Sequence, residues 1–319
     1  MRKAYIVIFS AVLLVFPQWL SAINAVASIN ASVGDVKVTR QNRQINGRKG
    51  LILNDGDIIT TEKNAKATIL FRDGSVIRLY QNTKFIIEQS VENQSAHRGF
   101  FNRFRLSFGS LWGKFTKNRQ RTDIKTPTAT CGIKGTSVAL TQKATTLDVS
   151  LSSGSVELEN EDEKIELEPG KMIEGITKRG SFKEKIRDIP YRILIKPDTK
   201  KIELPTAGNT AKFSFTLQII DVKSMLNVSK AARVLISVPS DKIEFPESIR
   251  LNARGYLRVT ATIKPFQQAD YGNGRIEVTA VAESERYMDI GTGQTVLTYD
   301  IPQKNPRILK IDANSGAIN

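Results

Sequence analysis

The sequence predicts an all-β protein of two domains, and three observations lead to that prediction. The chain has 319 residues, which allows about two domains at roughly 100–200 residues each. Apolar and polar residues alternate with period 2 in many short runs, the pattern of strands that bury one face. Glycine and proline recur between these runs, and no long window after the N-terminal apolar segment has the periodicity of an amphipathic helix.

The N-terminal segment predicts export. Arg2 and Lys3 precede an uncharged run that is strongly apolar over Ala4–Phe16, about the length of a signal-peptide core. Small residues at both ends of Ala25–Ala27 suit cleavage before Ser28, so residues 1–27 are predicted to be a signal peptide. An uncleaved membrane anchor is the alternative, because the run is long enough to span a bilayer. Both interpretations predict a periplasmic or secreted protein.

Strands are predicted in order through residues 28–180. Ala65–Phe71 and Val76–Tyr80 flank a turn at Arg72–Ser75, which predicts a hairpin or the corner of a solenoid. Phe104, Leu106 and Phe108 alternate with polar residues in a half-buried strand. Further strands are predicted at Phe85–Glu88, at Thr146–Leu151 and Ser155–Glu159 as a pair around Ser152–Gly154, and at Ile165–Glu168.

A second domain is predicted after a charged segment, Arg179–Asp188, within which residues 181–188 are assigned as a linker. Short strands punctuated by proline and glycine then predict an immunoglobulin-like β-sandwich over residues 189–302, with a tail over residues 303–319. Tyr271 stands where a tyrosine corner would fall. The predicted strands are Lys212–Ile219, Arg233–Val238, Ile249–Leu251, Tyr256–Ile263, Arg275–Val281 and Thr295–Tyr299.

Five short motifs follow one another between Ala31 and Gly175, and their order is more informative than any one of them. They are Leu53–Thr60 with its Gly-Asp step, Ala65–Ser75 ending in Asp-Gly-Ser, Leu106–Leu111, Thr126–Val138, and Gly154–Leu158 followed by Leu167–Gly170. In this order they resemble the FecR domain, the periplasmic domain of FecR-like regulators. The resemblance implies a β domain, solenoid or jelly-roll-like, over residues 28–180.

The resemblance also implies a non-catalytic role in binding or signalling, with no catalytic residues. Membrane-bound FecR regulators place a cytoplasmic segment, which handles a sigma factor, before one transmembrane helix. Here only Met1–Lys3 precede the apolar run, so we expect no contact with a sigma factor. The leading hypothesis is an envelope scaffold or adaptor that binds a protein or glycan. The alternative is a periplasmic sensory component that acts through a separate membrane protein.

Charge suggests where a partner would bind. The formal net charge is +15, and Arg98–Lys125 contains eight basic residues and one Asp. An exported basic surface favours an envelope protein or an anionic glycan or lipid surface as partner, whereas no motif suggests nucleic acid or DNA binding. The alternative is an ordinary strand followed by a solvated basic loop. The predicted basic patch consists of Arg103, Arg105, Lys114, Lys117, Arg119 and Arg121.

Other conspicuous segments are interpreted as structural. The acidic run Glu157–Glu168 has the period-2 spacing of a charged strand face, although carboxylates could also converge on calcium. Thr126–Ser137 is interpreted as a tight crossover rather than a ligand loop, because Gly132 and Gly135 permit positive φ or close backbone approach.

The residues that enzymes use are scarce. A single Cys excludes an internal disulfide framework and a Cys-cluster metal site, and Cys131 is predicted to be a small buried residue. The single His, His97, has no nucleophile motif beside it. We therefore expect no enzymatic activity, no cofactor and no metal site.

Overall fold

A computed structural model describes residues 25–93, 99–116, 121–205, 208–238, 240–246, 248–282 and 288–302. Within these ranges the regular structure is β-strand apart from two single-turn 3-10 helices, Lys183–Lys185 and Gln268–Asp270. The predicted all-β class is confirmed. None of the helical turns in the described ranges approaches the length that a bilayer crossing needs.

Fifteen strands of the first domain join into one continuous sheet that folds over on itself. Their pairing is antiparallel except for one parallel pair, β9 with β10, so the stacked parallel coils of a solenoid do not form. The strands are β1 (Ala25–Val33), β2 (Val36–Arg40), β3 (Arg43–Asn46), β4 (Ile52–Asn54), β5 (Ile58–Thr61), β6 (Lys66–Phe71), β7 (Val76–Leu79), β8 (Thr83–Asn93), β9 (Gly99–Lys114), β10 (Arg121–Lys125), β11 (Thr130–Gln142), β12 (Leu147–Glu159), β13 (Lys164–Leu167), β14 (Lys171–Ile176) and β15 (Ile186–Asp188).

Three long strands, β9, β11 and β12, run through both layers of the folded sheet. The first layer has the order β3-β2-β5-β8-β9-β10-β11-β12-β13, and the second has the order β4-β1-β6-β7-β9-β11-β12-β14-β15. Each long strand changes layer at a glycine with positive φ, namely Gly109 (+93°), Gly135 (+60°) and Gly154 (+83°). The bend brings backbones together, because a Cβ on Gly154 would lie 2.4 Å from the carbonyl oxygen of Gly135.

The core of the first domain lies between the two layers. Phe85 and Phe104 enter it from the first layer, and Phe71 enters from the second, all three being buried. The rings of Phe71 and Phe104 are 4.9 Å apart between centroids, which joins the layers directly. Alternate residues of these strands face away from the core, so each layer also has an outer face.

Two sequence-based expectations for the first domain are wrong. Thr146–Leu151 and Ser155–Glu159 are parts of one bent strand, β12, because both halves pair with β11 on either side of Gly154. Residues 181–188 are not a linker: β15 pairs with β14, and Phe182 is buried in the first core. The charged residues and Gly180 suggested a domain boundary here. The pairing of β15 and the burial of Phe182 instead make the segment part of the first domain.

The folded domain also begins earlier than residue 28, the predicted start of the mature chain. β1 starts at Ala25 and pairs with β4 and β6, and the side chain of Val26 is fully buried. Cleavage between Ala27 and Ser28 would therefore remove core and ladder residues. Of the residues that suggested a cleavage site, Val26 and Ala27 are buried in the first domain and Ala25 is half-buried.

The second domain is a sandwich of two sheets around its own core. The sheets have the orders β19-β21-β17-β16-β23 and β20-β18-β22-β24, and all neighbours are antiparallel except β16 with β23. The immunoglobulin-like topology of this sandwich stays a prediction, because β19 precedes β20 along the chain, whereas strand C′ precedes strand D in that fold. The strands are β16 (Tyr191–Pro197), β17 (Ala211–Asp221), β18 (Arg233–Ser237), β19 (Ile243–Glu244), β20 (Ser248–Arg250), β21 (Tyr256–Ile263), β22 (Arg275–Ala282), β23 (Ile290–Gly291) and β24 (Gly293–Thr298).

The tyrosine whose hydroxyl makes a hydrogen bond to the backbone is Tyr299, and not Tyr271 as the sequence predicted. Tyr299 donates its hydroxyl to the carbonyl of Tyr271 at 2.5 Å, and Tyr271 stacks on Phe266. Tyr271 thus supplies a backbone acceptor to this corner. The predicted tail, residues 303–319, lies outside the described residues.

Candidate binding surfaces

The outer face of the second layer of the first domain is covered by the second domain. Tyr80 and Trp112 come from the first domain and form a buried apolar cluster with Val281 of β22, against which Ala139 packs. These residues stand on the outer side of the sheet and would otherwise be exposed aromatic surface. We call this side the covered face.

Hydrogen bonds fix the contact between the domains. The hydroxyl of Tyr80 donates to the carbonyl of Ala282 at 3.0 Å, and the indole N–H of Trp112 donates to the hydroxyl of Thr292 at 3.2 Å. The backbone N–H of Thr292 donates to the hydroxyl of Ser152 at 3.0 Å. Because both domains supply donors and acceptors, the covered face is polar as well as apolar, as interfaces between domains of one chain usually are.

Lys114, one of the predicted patch residues, belongs to the covered face. Its ammonium lies 2.8 Å from a carboxylate oxygen of Glu277 and 3.1 Å from the hydroxyl of Thr279, both in β22. Arg78 lies beside it on the same face, with its guanidinium 5.6 Å from the ring centroid of Trp112. These cations therefore serve the junction between the domains.

In the part of the chain that the structure describes, the outer face of the first layer carries solvent-exposed side chains, and we call it the open face. Arg105 is half-exposed there and is paired with Glu88 at 2.5 Å, while Arg103 lies over the ring of Phe101 at 5.2 Å. The side chain of Phe108 is 45% exposed on this face. Lys125 is exposed and stands opposite Arg105 in the parallel pairing of β9 and β10. The open face therefore presents Phe108 with basic side chains, and the acidic residues Glu157 and Glu159 lie on the same outer side, two strands beyond β10.

The six predicted patch residues do not form one surface. Arg103 and Arg105 precede Gly109 in β9 and lie on the open face, whereas Lys114 follows that bend and lies on the covered face. Lys117 and Arg119 lie outside the described residues, and only the backbone of Arg121, in β10, is described. The prediction fails for Lys114 because a strand that changes layer sends neighbouring charges to different sides of the domain.

The acidic run forms a charged outer face of β12 and β13, as predicted. Lys164 bridges Glu157 at 2.9 Å and Glu159 at 3.5 Å. Glu161 binds Lys178 and Arg179, whose hydrogen bonds lower the pKa of its carboxyl. These ion pairs join the run to nearby cations, and Arg105 takes Glu88 as its partner instead.

The motif residues mostly hold the first domain together. Asp57, from the Gly-Asp step, is fully buried and binds the guanidinium of Arg40 through two hydrogen bonds of 2.8 and 2.6 Å. Asp73, from Asp-Gly-Ser, accepts from the backbone of Ser75 and from the buried amide of Asn102, each at 2.8 Å. Sequence reasoning missed Arg40 and Asn102, because their partners lie 17 and 29 residues away along the chain.

Thr126–Val138 combines a turn with a strand. The hydroxyl of Thr126 accepts from the backbone N–H groups of Thr128 and Ala129, which closes the turn between β10 and β11. Burial raises the pKa of the Cys131 thiol to about 12, so its reactive thiolate form is suppressed. This motif is therefore a hairpin followed by the glycine bend of β11.

The fold and these two faces define a two-domain all-β protein in which one sheet face docks the neighbouring domain and the other is open. Residues 57–157 match the family model described as FecR protein, so the first domain is a FecR domain. The match begins at Asp57 of the Gly-Asp step and covers Asp-Gly-Ser, all of β9 and β11, and β12 as far as Glu157. Both arginines of the open face lie within it.

Two solved structures show some likeness to this chain. A putative anti-sigma factor from Parabacteroides distasonis is 16% identical, with a TM-score of 0.34 over 41% of this chain, and the match spans 59% of that protein's length. A β-glycosidase from Bacteroides vulgatus is 13% identical, with a TM-score of 0.27 over 48% of this chain and 22% of its own. No curated protein matches the chain.

Proposed function

We propose that this protein is an exported, non-catalytic binding protein of the bacterial envelope, in which the open face of the FecR domain engages a protein or glycan partner. The observation that carries the proposal is the difference between the two faces. One is occupied by the second domain, while the other presents Arg105, Phe108 and Lys125 to solvent. An aromatic side chain among cations suits a partner with anionic and apolar groups, because aromatic residues and arginine are enriched in interfaces.

A non-catalytic role agrees with the chemistry of the described side chains. The thiol of Cys131 is buried, with its pKa raised to about 12. The acidic groups of the FecR motifs, such as Asp57 with Arg40, are used in hydrogen bonds that hold strands together. Sensing through a separate membrane protein is the second candidate, and the family match to FecR is the observation that favours it.

The binding proposal is tested by comparing two variants in pull-downs from envelope extract and from purified wall polymer. The open-face variant carries Arg105→Gln, Phe108→Ser and Lys125→Gln. A control variant carries Arg250→Gln in the second domain, where the side chain is also exposed. We expect the open-face variant to lose the captured partner while the control keeps it. Equal capture by wild type and both variants would contradict the proposal.

Export is tested by fractionation and by sequencing the N-terminus of the mature protein. Because Val26 is buried in β1, we expect processing to leave Ala25 on the mature chain. An N-terminus at Ser28 would show that β1 tolerates the loss of Ala25–Ala27. A full-length chain in the membrane fraction would show that the segment is an anchor.

A further inference from the structure

The loop that follows β17 exposes three apolar side chains at one tip of the second domain. Leu226 is 68% exposed, Met225 is 53% exposed and Val222 is 38% exposed. A single exposed apolar residue needs no explanation, whereas three within five positions concentrate exposed apolar side chains in one turn. We call Val222, Met225 and Leu226 the apolar tip.

Backbone hydrogen bonds hold the apolar tip in a defined conformation. The N–H of Asp221 donates to the carbonyl of Leu226 at 2.9 Å, and the N–H of Met225 donates to the carbonyl of Asp221 at 2.9 Å. The carboxylate of Asp221 accepts from the N–H groups of Lys223 and Ser224 at 3.0 and 2.7 Å. These hydrogen bonds fix the backbone of the turn, and its apolar side chains are exposed. A turn that is already ordered loses less conformational entropy when it binds.

Cations surround the apolar tip. Lys223 lies within it and is exposed, and the guanidinium of Arg192 lies 3.5 Å from the sulfur of Met225. The amide of Asn227 donates to the carbonyl of Arg254 at 2.5 Å, which places the exposed Arg254 in the adjoining loop. The nearby carboxylate of Asp221 is engaged by backbone N–H groups. Lys223 also interacts electrostatically with the carboxylate of Asp188 in β15. The tip thus combines apolar side chains with three nearby cations, one of which has an acidic neighbour.

We propose that the apolar tip inserts into the surface of a bilayer that contains anionic lipid. Apolar side chains among Lys and Arg are the composition of segments that lie in the membrane interface, where the apolar groups enter the acyl boundary and the cations meet anionic headgroups. The formal net charge of +15 favours the same partner. This inference does not rest on the binding role of the FecR domain, because the tip belongs to the other domain.

The direct test is co-sedimentation of the full mature protein with vesicles of phosphatidylglycerol and phosphatidylcholine, and with vesicles of phosphatidylcholine alone. We expect binding to the anionic vesicles that weakens as salt is raised, because exposed charges are screened over about 8–10 Å near physiological ionic strength. Met225→Ser with Leu226→Ser should weaken it by at least about tenfold, since burying one large apolar side chain contributes about that much.

Two variants make this test specific. Val296→Ser is the matched control, because Val296 is 47% exposed in β24 and lies outside the tip; it should bind as wild type does. Lys223→Gln with Arg254→Gln should weaken binding by about fivefold for each charge at low salt and flatten the salt dependence. Leu226→Trp should show a blue-shifted emission on anionic vesicles, whereas Val296→Trp should not.

Several outcomes would overturn the proposal. These are no binding to anionic vesicles, equal binding to neutral ones, or equal losses in the tip variant and in Val296→Ser. Vesicle binding that is lost in the open-face variant but kept in the tip variant would assign the lipid surface to the FecR domain. A tip variant that binds vesicles normally but loses a protein captured by wild type would identify the tip as a protein-docking site.

Discussion

The two outer faces of the FecR domain are built from the same three long strands, yet one contacts the second domain and the other faces solvent. On the covered face, Trp112, Tyr80 and Lys114 are used by the second domain through a buried cluster, hydrogen bonds and an ion pair. On the open face, Arg105 and Phe108 remain at the surface. Both sets come largely from β9, and Gly109 separates them.

A count of basic residues along a segment of sequence therefore does not show which of them share a surface of the folded domain. Arg105 and Lys114 are nine positions apart in one strand, which would place them on opposite faces of a flat sheet by simple alternation. They end on opposite sides of a two-layered domain for another reason: the strand leaves one layer and enters the other. Their partners accordingly differ, Glu88 of the same domain for Arg105 and Glu277 of the second domain for Lys114.

The strongest prediction uses two residues of the native chain as probes: the thiol of Cys131 reports on the first layer and the indole of Trp112 reports on the second. Cys131 lies in the half of β11 that belongs to the first layer, and burial raises its thiol pKa to about 12. Labelling by iodoacetamide at pH 8 should therefore be slower than in denaturant by at least about a thousandfold, because it requires an opening that approaches global unfolding. In a chain that begins at Ala25, Trp112 is the only tryptophan and reports on the covered face by fluorescence.

The comparison of the two probes is informative in denaturant. Coincident transitions in Cys131 labelling and Trp112 fluorescence would show that the layers unfold as one unit, which the shared strands predict. Rapid labelling of Cys131 in native buffer would contradict this prediction, because the first layer would then open while the second remains folded.

The next effect tests the covered face. Trp112→Ala removes a buried side chain of the interdomain cluster and its hydrogen bond to Thr292, and it should cost about 3–4 kcal/mol. Trp112→Phe keeps most of the apolar contact and should cost about 1 kcal/mol. Calorimetry should show the transitions of the two domains separating in Trp112→Ala. A single unchanged transition would mean that the second domain is not stabilised by this face.

A slightly smaller effect tests the bends that separate the faces. Gly154 and Gly170 both have positive φ, but an added Cβ on Gly154 would lie 2.4 Å from the carbonyl oxygen of Gly135, whereas nothing lies within 4 Å at Gly170. Gly170→Ala should therefore cost about 1 kcal/mol from backbone strain alone. Gly154→Ala adds the clash and should cost about 3 kcal/mol. Equal costs in urea unfolding would show that close approach is unimportant at the bend.

Much of this architecture could be predicted, and the errors have one physical origin. Period 2 located most strands of both domains, and the motifs identified the FecR domain, because alternation and turn residues are local signals. The bend of β12 at Gly154 was predicted as a hairpin, since a glycine with positive φ serves both structures. A hairpin and a bent strand differ only in which strands they pair with, and the residues around the glycine do not determine those partners.

The candidate surfaces were harder to predict than the fold. The covered face depends on contacts between residues far apart in the chain, such as Tyr80 with Ala282 and Trp112 with Thr292. No local pattern around Trp112 marks it as a contact between domains. Likewise, Phe182 and Val26 looked like members of a linker and a leader until burial placed them in the core. Solvent exposure, which decides a surface, is a property of the whole fold.

The smallest expected effect distinguishes the faces through a matched pair of substitutions in β9. Arg105→Gln removes an ion pair from the open face, and such exposed pairs contribute little, so unfolding stability should change by about 0.5 kcal/mol or less. Lys114→Gln removes the contacts with Glu277 and Thr279 at the covered face, where the side chain is partly buried, and should cost about 1 kcal/mol. Partner capture should show the opposite ranking, with a loss for Arg105→Gln and none for Lys114→Gln. Equal losses of stability would contradict the role of Lys114 in holding the second domain. Loss of the partner in Lys114→Gln alone would contradict the assignment of partner binding to the open face.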